Sequence, residues 1–380
     1  MVKKCFTALV LGITLMLITN ANGAAAGKAT SPFPDPTGQY KVGTVTRQWV
    51  DNSRNEIFTE TSDDKRQLLV QFWYPADPKV SGTPAPYMTA SDVTLTIFEE
   101  LIDGSRNVKL TLPHDEFAAY QSHAYADAAV ADAQSGYPVL VFSPGFGATP
   151  TMYTVQLEEL ASQGYVVVGI NYPYSSVATA FLDGKTVTIN PKFNASANFP
   201  VWVQDQIFVL NQLEALNAND PDKLLTGKLD LKHIGIFGHS LGGGTAIKVA
   251  TQDSRVGAVL SEDSPALGNR IDKSVEQPFL MMESEHNVDA NVTVYQQAKG
   301  PAYDLAMNTF EHDNFGDLAF WPGIEPLKSA SALGAIDPAR SNQIVNAYIF
   351  AFFDKYLRGK AAPLLDGASA EYKEVQFQSK

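Results

Sequence analysis

Cysteine is almost absent from the 380-residue chain, and the only one is Cys5. It lies in an N-terminal segment with the layout of a removable signal, and the residues after it do not form a lipoprotein mature sequence. The mature chain therefore carries no thiol. That excludes disulfides, thiol catalysis, zinc–thiolate sites and iron–sulfur clusters. Positive charge is scarce as well: 28 Lys and Arg face 41 Asp and Glu, for a net charge of −13. A nucleic-acid binder should carry a basic face, so this composition argues against that partner class, and against electrostatic docking on anionic lipid. Charged residues make up 18 % against 45 % hydrophobic, which is too little charge for a disordered chain and enough apolar material for a large core. An uninterrupted apolar run of the ~20 residues needed to span a bilayer is also missing.

The N-terminus supplies the first positive reading. Lys3 and Lys4 precede an apolar run over 6–18, followed by the small residues Ala24, Ala25 and Ala26. This is a secretory signal over 1–23, cut after Gly23 or Ala26. It implies a protein exported to the periplasm or beyond. The mature chain then holds 26 basic against 41 acidic residues, a net charge of −15. Residues 24–39, rich in Ala, Gly, Pro and Ser, read as a flexible lead-in.

One catalytic domain is expected over 40–380. RQLLVQFWYP alternates Leu68, Val70, Phe72 and Tyr74 and reads as a strand. Residues 76–135 are irregular, with Pro78, Pro84 and Pro86, and read as a cover of loops and short helices. From 137 onward, short apolar runs alternate with helical segments: strands at 137–143, 165–170, 233–238, 256–261, 277–283 and about 302–307, and helices near 151–163, 199–217, 241–251 and 339–358. Buried strands alternating with helices indicate a mostly parallel central sheet covered by helices on both faces.

GHSLG at 238–242 fits the nucleophile-elbow pattern Gly-x-Ser-x-Gly. A strand runs into it and a helix starts from it, the context an elbow needs. Ser240 is the candidate nucleophile. Of the histidines, His239 adjoins the serine and should point away, His233 starts the strand at its far end, and His114 and His123 belong to the surface or cover. His286 and His312 follow Ser240 in the order serine, acid, histidine. His312 sits in the loop between the last strand and the last helix and is the candidate base. For the acid, Glu262 and Asp263 compete in SEDSP directly after a strand, and alternation sends them to opposite sides. Glu283, Glu285 and Asp289, one strand later, stay open, with Asp263 preferred. The oxyanion donors are expected at the N–H of Leu241 and of Phe146, the latter in the glycine turn FSPGFG. Phe320 and Trp321 either line an acyl pocket or belong to the core.

Together these segments resemble the platelet-activating factor acetylhydrolases of the plasma, lipoprotein-associated type and their bacterial relatives. The shared landmarks are VLVFSPGFGA, NYPYSSVATAFLDG, GIFGHSLGGGTA, SEDSP, SEH and HDNFGD, with likeness running from about 33 to 377. The resemblance implies an α/β-hydrolase fold, Ser240 as nucleophile, His312 as base, Asp263 as acid, and Phe146 and Leu241 as oxyanion donors. Pro144 stands where the family usually has a histidine. The activity expected is a serine carboxylic-ester hydrolase acting on short-acyl or phospholipid-like esters without metal or organic cofactor. A polyester- or cutin-hydrolysing enzyme is the alternative, and a non-catalytic binding protein a more distant one.

Overall fold

The computed structural model describes residues 31–288 and 290–380. Residues 1–23, expected to be a signal, residues 24–30 of the expected lead-in and Asp289 lie outside them. The described part of the lead-in is docked rather than loose. Phe33 is buried against the ring of Tyr87 at 4.2 Å, the N–H of Thr37 donates to Glu159 at 2.7 Å, and that of Gly38 to Ser162 at 3.0 Å. Composition points to disorder; a single aromatic anchor and two side-chain acceptors override it.

Two long strands come next, β1 (Lys41–Asn55) and β2 (Lys65–Ala76), paired antiparallel with Lys41 opposite Ala76. Only the second carries a clear alternating signal. The cover is built from α1 (Ser91–Arg106), α2 (His114–Ala119) and the short β3 (Ala124–Ala126), which pairs parallel with β1. Helix α1 buries Leu95, Phe98 and Ile102, spaced at three and four residues so that they share one face.

The repeating part opens with β4 (Tyr137–Ser143), α3 (Thr154–Ser162) and β5 (Val166–Asn171). A small separate hairpin, β6 (Ala178–Ala180) and β7 (Thr186–Thr188), leads to the long α4 (Ala195–Ala218). Then come β8 (Leu229–His239), α5 (Leu241–Ala250), β9 (Val256–Glu262), β10 (Phe279–Ser284), α6 (Val292–Gln297) and β11 (Ala302–Met307). The chain closes with α7 (Glu325–Ser329), α8 (Pro338–Arg358) and β12 (Val375–Ser379). The last strand is not among those expected from the sequence. It pairs antiparallel on β11 at the sheet edge, with Tyr303 opposite Ser379, and its mostly exposed side chains give no apolar run.

The ten strands run in the order β12-β11-β10-β9-β8-β4-β5-β2-β1-β3. From β11 to β5 every pairing is parallel, while β2 and β12 are antiparallel to their neighbours. Alternate strand residues feed two cores. Leu140, Phe142, Val167 and Phe237 pack with α3 and α8, whereas Val139, Val141, Val168 and Ile236 pack with α4 and α5. Burial on both faces explains the continuous apolar runs in the sequence.

The register positions the site. Ser143 at the end of β4 lies opposite Gly238 in β8, His239 opposite Glu262 in β9, and Glu262 opposite Met282 in β10. The carboxyl ends of four neighbouring strands therefore finish at one level. The chain leaves β4 toward β5 on one side and β8 toward β9 on the other, which makes β4/β8 a switch point where a crevice opens. No helix among the described residues is long and apolar enough to cross a membrane.

Candidate active site

Ser240 stands between the last residue of β8 and the first of α5 with φ 54° and ψ −126°, a conformation L-residues rarely adopt. The end of β4 lies close against this turn. A Cβ on Gly242 would lie 2.0 Å from the Ser143 carbonyl oxygen, and one on Gly238 2.4 Å from it. Only glycine fits at either position. The turn is held by the Ser240 N–H donating to the Glu262 carbonyl at 2.8 Å. The N–H of Leu241 opens α5, where no preceding turn supplies an acceptor, so it is available beside the hydroxyl.

His312 arrives on the loop between β11 and α8. The side chain of Asn314 braces that loop, accepting from the N–H of Glu311 at 2.8 Å and of Gly334 at 2.7 Å. Its Nε2 is 3.0 Å from Ser240 Oγ and its Nδ1 is 2.5 Å from Asp263 Oδ2. Asp263 comes directly after β9, at φ 46°, and its other oxygen accepts from the Ser284 N–H at 2.6 Å. Burial by itself would raise the Asp263 carboxyl. The hydrogen bond and charge of His312, with the Ser284 N–H, outweigh it and hold the carboxyl below its usual range. Burial also opposes a charged His312, but its bond to Asp263 and the charges of Asp313 and Asp263 lift the imidazole above its ordinary value.

The other candidates lie elsewhere. Glu262, fully buried, turns to α3 and accepts from Gln156 at 2.6 Å; burial pushes its carboxyl up to about 8. Glu285 is exposed and accepts from the Thr309 N–H, Glu283 is buried in β10, and the exposed His286 pairs with Glu311. His114 meets Asp92 in the cover, His123 meets Glu158, and His233 meets Asp230. His239 departs from expectation. Its ring turns in beneath His312, centroid to centroid 4.5 Å, and bonds the His312 carbonyl.

The glycine turn after β4 is fixed on several sides. The Ala148 N–H donates to the Gly145 carbonyl at 3.1 Å, and the Gly147 N–H to the Ser175 carbonyl at 2.9 Å. Gly147 has φ 80°, and a Cβ there would meet Leu101 at 2.5 Å. The Phe146 side chain, 39 % exposed, stacks on Phe193 at 5.1 Å.

Ser240, His312, Gly145 and Phe146 face a cavity of about 270 Å³. Phe98, Leu101 and Ile102 of α1 form one wall, Met152 and Leu318 another, and the Arg106–Asp313 ion pair at 3.1 Å ties α1 to the His312 loop. The cover thus supplies a wall of the site, which sequence reasoning does not assign by residue; the apolar spacing in VTLTIFEELI is the available signal. Phe320 and Trp321 do not line the cavity. Trp321 is buried between Phe98 and Phe117, and its indole N–H donates to Tyr87 at 2.9 Å.

A mostly parallel sheet with an elbow serine at its switch point and a cover over it defines an α/β-hydrolase. The particular family emerges from comparison. The profile described as platelet-activating factor acetylhydrolase, isoform II, matches residues 25–204 and 209–362, and the chain belongs to that family. It is 26 % identical to a probable 1-alkyl-2-acetylglycerophosphocholine esterase of Arthroderma benhamiae, over 96 % of this chain and 98 % of that one. It is 27 % identical to the platelet-activating factor acetylhydrolase of Cavia porcellus, where the match spans 58 % of each chain. Among solved structures, a ferulic acid esterase from Streptomyces cinnamoneus superposes with a TM-score of 0.75 at 28 % identity, over 90 % of this chain and 98 % of that one. The chain is a carboxylic ester hydrolase.

Proposed function

We propose that the chain hydrolyses short-acyl esters, including phospholipid-like ones, through an acyl-enzyme on Ser240. The Ser240 hydroxyl attacks the ester carbonyl while His312 Nε2 takes its proton. Asp263 holds the Nδ1 proton and balances the imidazolium. The carbonyl oxygen, now negative, is received by the N–H groups of Phe146 and Leu241. His312 returns the proton to the departing alcohol. Water then enters, loses a proton to His312, and releases the acid and Ser240 by the same steps in reverse.

One observation carries this reading: the chain Ser240 Oγ–His312–Asp263 at 3.0 and 2.5 Å, opening on an apolar-walled cavity. The cavity, about 270 Å³, falls near the lower bound of the roughly 300–1,000 Å³ of small-molecule sites, which favours a short acyl group. The secretory layout of residues 1–23 supports export of the mature enzyme; N-terminal sequencing of exported protein should begin between Ala24 and Lys28.

The deciding assay is kcat/KM across p-nitrophenyl esters from acetate to palmitate, alongside glycerophosphocholines with a short or a long sn-2 acyl chain. Rates should be highest at acetate to butyrate and fall by about tenfold or more by octanoate. Preference for long chains, for feruloyl esters or for a polyester film would overturn the substrate reading. A fluorophosphonate label found on a serine other than Ser240 would overturn the site.

A further inference from the structure

We propose that His239 and Tyr153 are positioning residues, an uncharged hydrogen-bond relay that locks the oxyanion turn and the His312 loop to the elbow. The inference rests on the reading of Ser240 and His312 as nucleophile and base.

Tyr153 ends the short turn before α3 and is buried, as is His239. The Tyr153 hydroxyl receives the Gly145 N–H at 3.3 Å and lies 2.8 Å from His239 Nδ1. On the other edge of the ring, His239 Nε2 lies 2.9 Å from the backbone oxygen of His312. A carbonyl oxygen only accepts, so the proton of His239 sits on Nε2. With the buried ring neutral, Nδ1 is then an acceptor, and the phenol donates to it. The phenol oxygen remains free to accept from Gly145. Each donor in the series has one acceptor, and the direction is the same throughout: Gly145 N–H to Tyr153, Tyr153 O–H to His239, His239 N–H to His312 C=O.

Neither member is suited to changing charge. Burial and the neighbouring His312 push the His239 imidazole down to about 3, and burial pushes the Tyr153 phenol well above its ordinary value. The relay therefore keeps one protonation pattern while His312 gains and loses its proton. Its two ends matter for the reaction. At one end, the Gly145 N–H is held by Tyr153 and the Gly145 carbonyl by Ala148, which fixes the Gly145–Phe146 peptide whose N–H is the proposed oxyanion donor. At the other end, the His312 main chain is held directly, and its ring rests on that of His239. The middle member precedes the nucleophile in sequence. A displacement of any one of the three machine parts is thereby transmitted to the other two.

The test compares Tyr153→Phe with wild type, using p-nitrophenyl acetate and dividing rates by the concentration of Ser240 titrated with a fluorophosphonate. Loss of the hydroxyl should lower kcat about 10- to 100-fold, the size expected for sub-ångström misplacement of reacting groups, with KM changed by less than about threefold. Affinity for a trifluoromethyl ketone, which forms a tetrahedral adduct on the serine, should fall in parallel. A role in packing alone would lower the melting temperature and the titratable fraction but not the turnover of titrated sites. A second pair guards against misfolding: His239→Gln can still donate to the His312 carbonyl and should exceed His239→Leu in titrated kcat. Tyr153→Phe turning over within about twofold of wild type, or equal rates for the Gln and Leu variants, overturns the relay while Ser240 labelling leaves the underlying mechanism standing. Full activity in Ser240→Ala would instead remove the mechanism on which the relay depends.

Discussion

In Asp263→Asn the carboxylate that faces His312 Nδ1 at 2.5 Å becomes an amide of nearly the same shape. The carbonyl oxygen of the new side chain can still accept from Ser284, whose N–H is 2.6 Å from the present Oδ1, so the turn after β9 keeps its anchor. The amide nitrogen then faces Nδ1 and donates to it. His312 is driven into the tautomer with its proton on Nε2, pointing a hydrogen rather than a lone pair at Ser240. Asp263 is only 1 % exposed, so solvent cannot repair the mismatch. The same exchange in a serine-protease triad lowers kcat by about four decades, or roughly 5 kcal/mol of transition-state stabilisation, and a loss of that order is expected here.

The pH profile supplies an independent sign. As the proposed base His312 must be neutral, and its bond to Asp263 helps raise its pKa above the ordinary 6.5. Wild-type activity should therefore rise with pH through a pKa above that value. Removing the carboxylate should move the limb toward acid. Initial rates with p-nitrophenyl acetate from pH 5 to 9, divided by titrated Ser240, measure both effects. Glu285, exposed and bonded to Thr309, should tolerate conversion to Gln within about twofold. Near-normal turnover in Asp263→Asn with an unmoved limb, and a dead Glu285→Gln, would refute the arrangement.

Ser240→Gly should abolish hydrolysis and raise stability by about 1 kcal/mol, because glycine tolerates φ 54° and ψ −126° where serine is strained; a lower melting temperature would contradict this. Glu262 has its carboxyl pushed up to about 8 in the folded chain against an ordinary 4.5, so the folded state binds more protons between those values and stability falls as pH rises through them. Glu262→Gln should flatten the decline of melting temperature from pH 5 to 8 while retaining activity, and parallel melting curves would sink the idea. Gly242→Ala should yield little folded protein, since its Cβ would lie 2.0 Å from the Ser143 carbonyl; a well-folded, active variant would show that β4 and the elbow can separate.

Much of the candidate site was legible in local pattern. The elbow is a five-residue motif whose glycines answer a backbone contact, and the runs YPVLVFS, YVVVGI and HIGIFG are apolar because both sheet faces are covered. Chain order placed His312 after the last parallel strand. Alternation in SEDSP separated Glu262 from Asp263, and Asp263, preferred there as the acid, is the one that meets the histidine.

What the sequence determined by itself is therefore the parallel core, the elbow serine and a short set of partners for it, all features written in neighbouring residues. Tertiary structure alone decided the rest. It brought Asp263 to His312 across 49 residues and His312 to Ser240 across 72, sent Glu262 to Gln156 across 106, and turned His239 inward to Tyr153 across 86. It docked a lead-in whose composition read as loose, added β12 at an edge where polar side chains hide the strand, and buried Trp321 under α1 instead of opening it to the cavity. The physical reason is the same in each case. Local pattern reports which face of a segment avoids water, whereas the choice of hydrogen-bond partner depends on strand register and loop reach, which exist only once the sheet has closed.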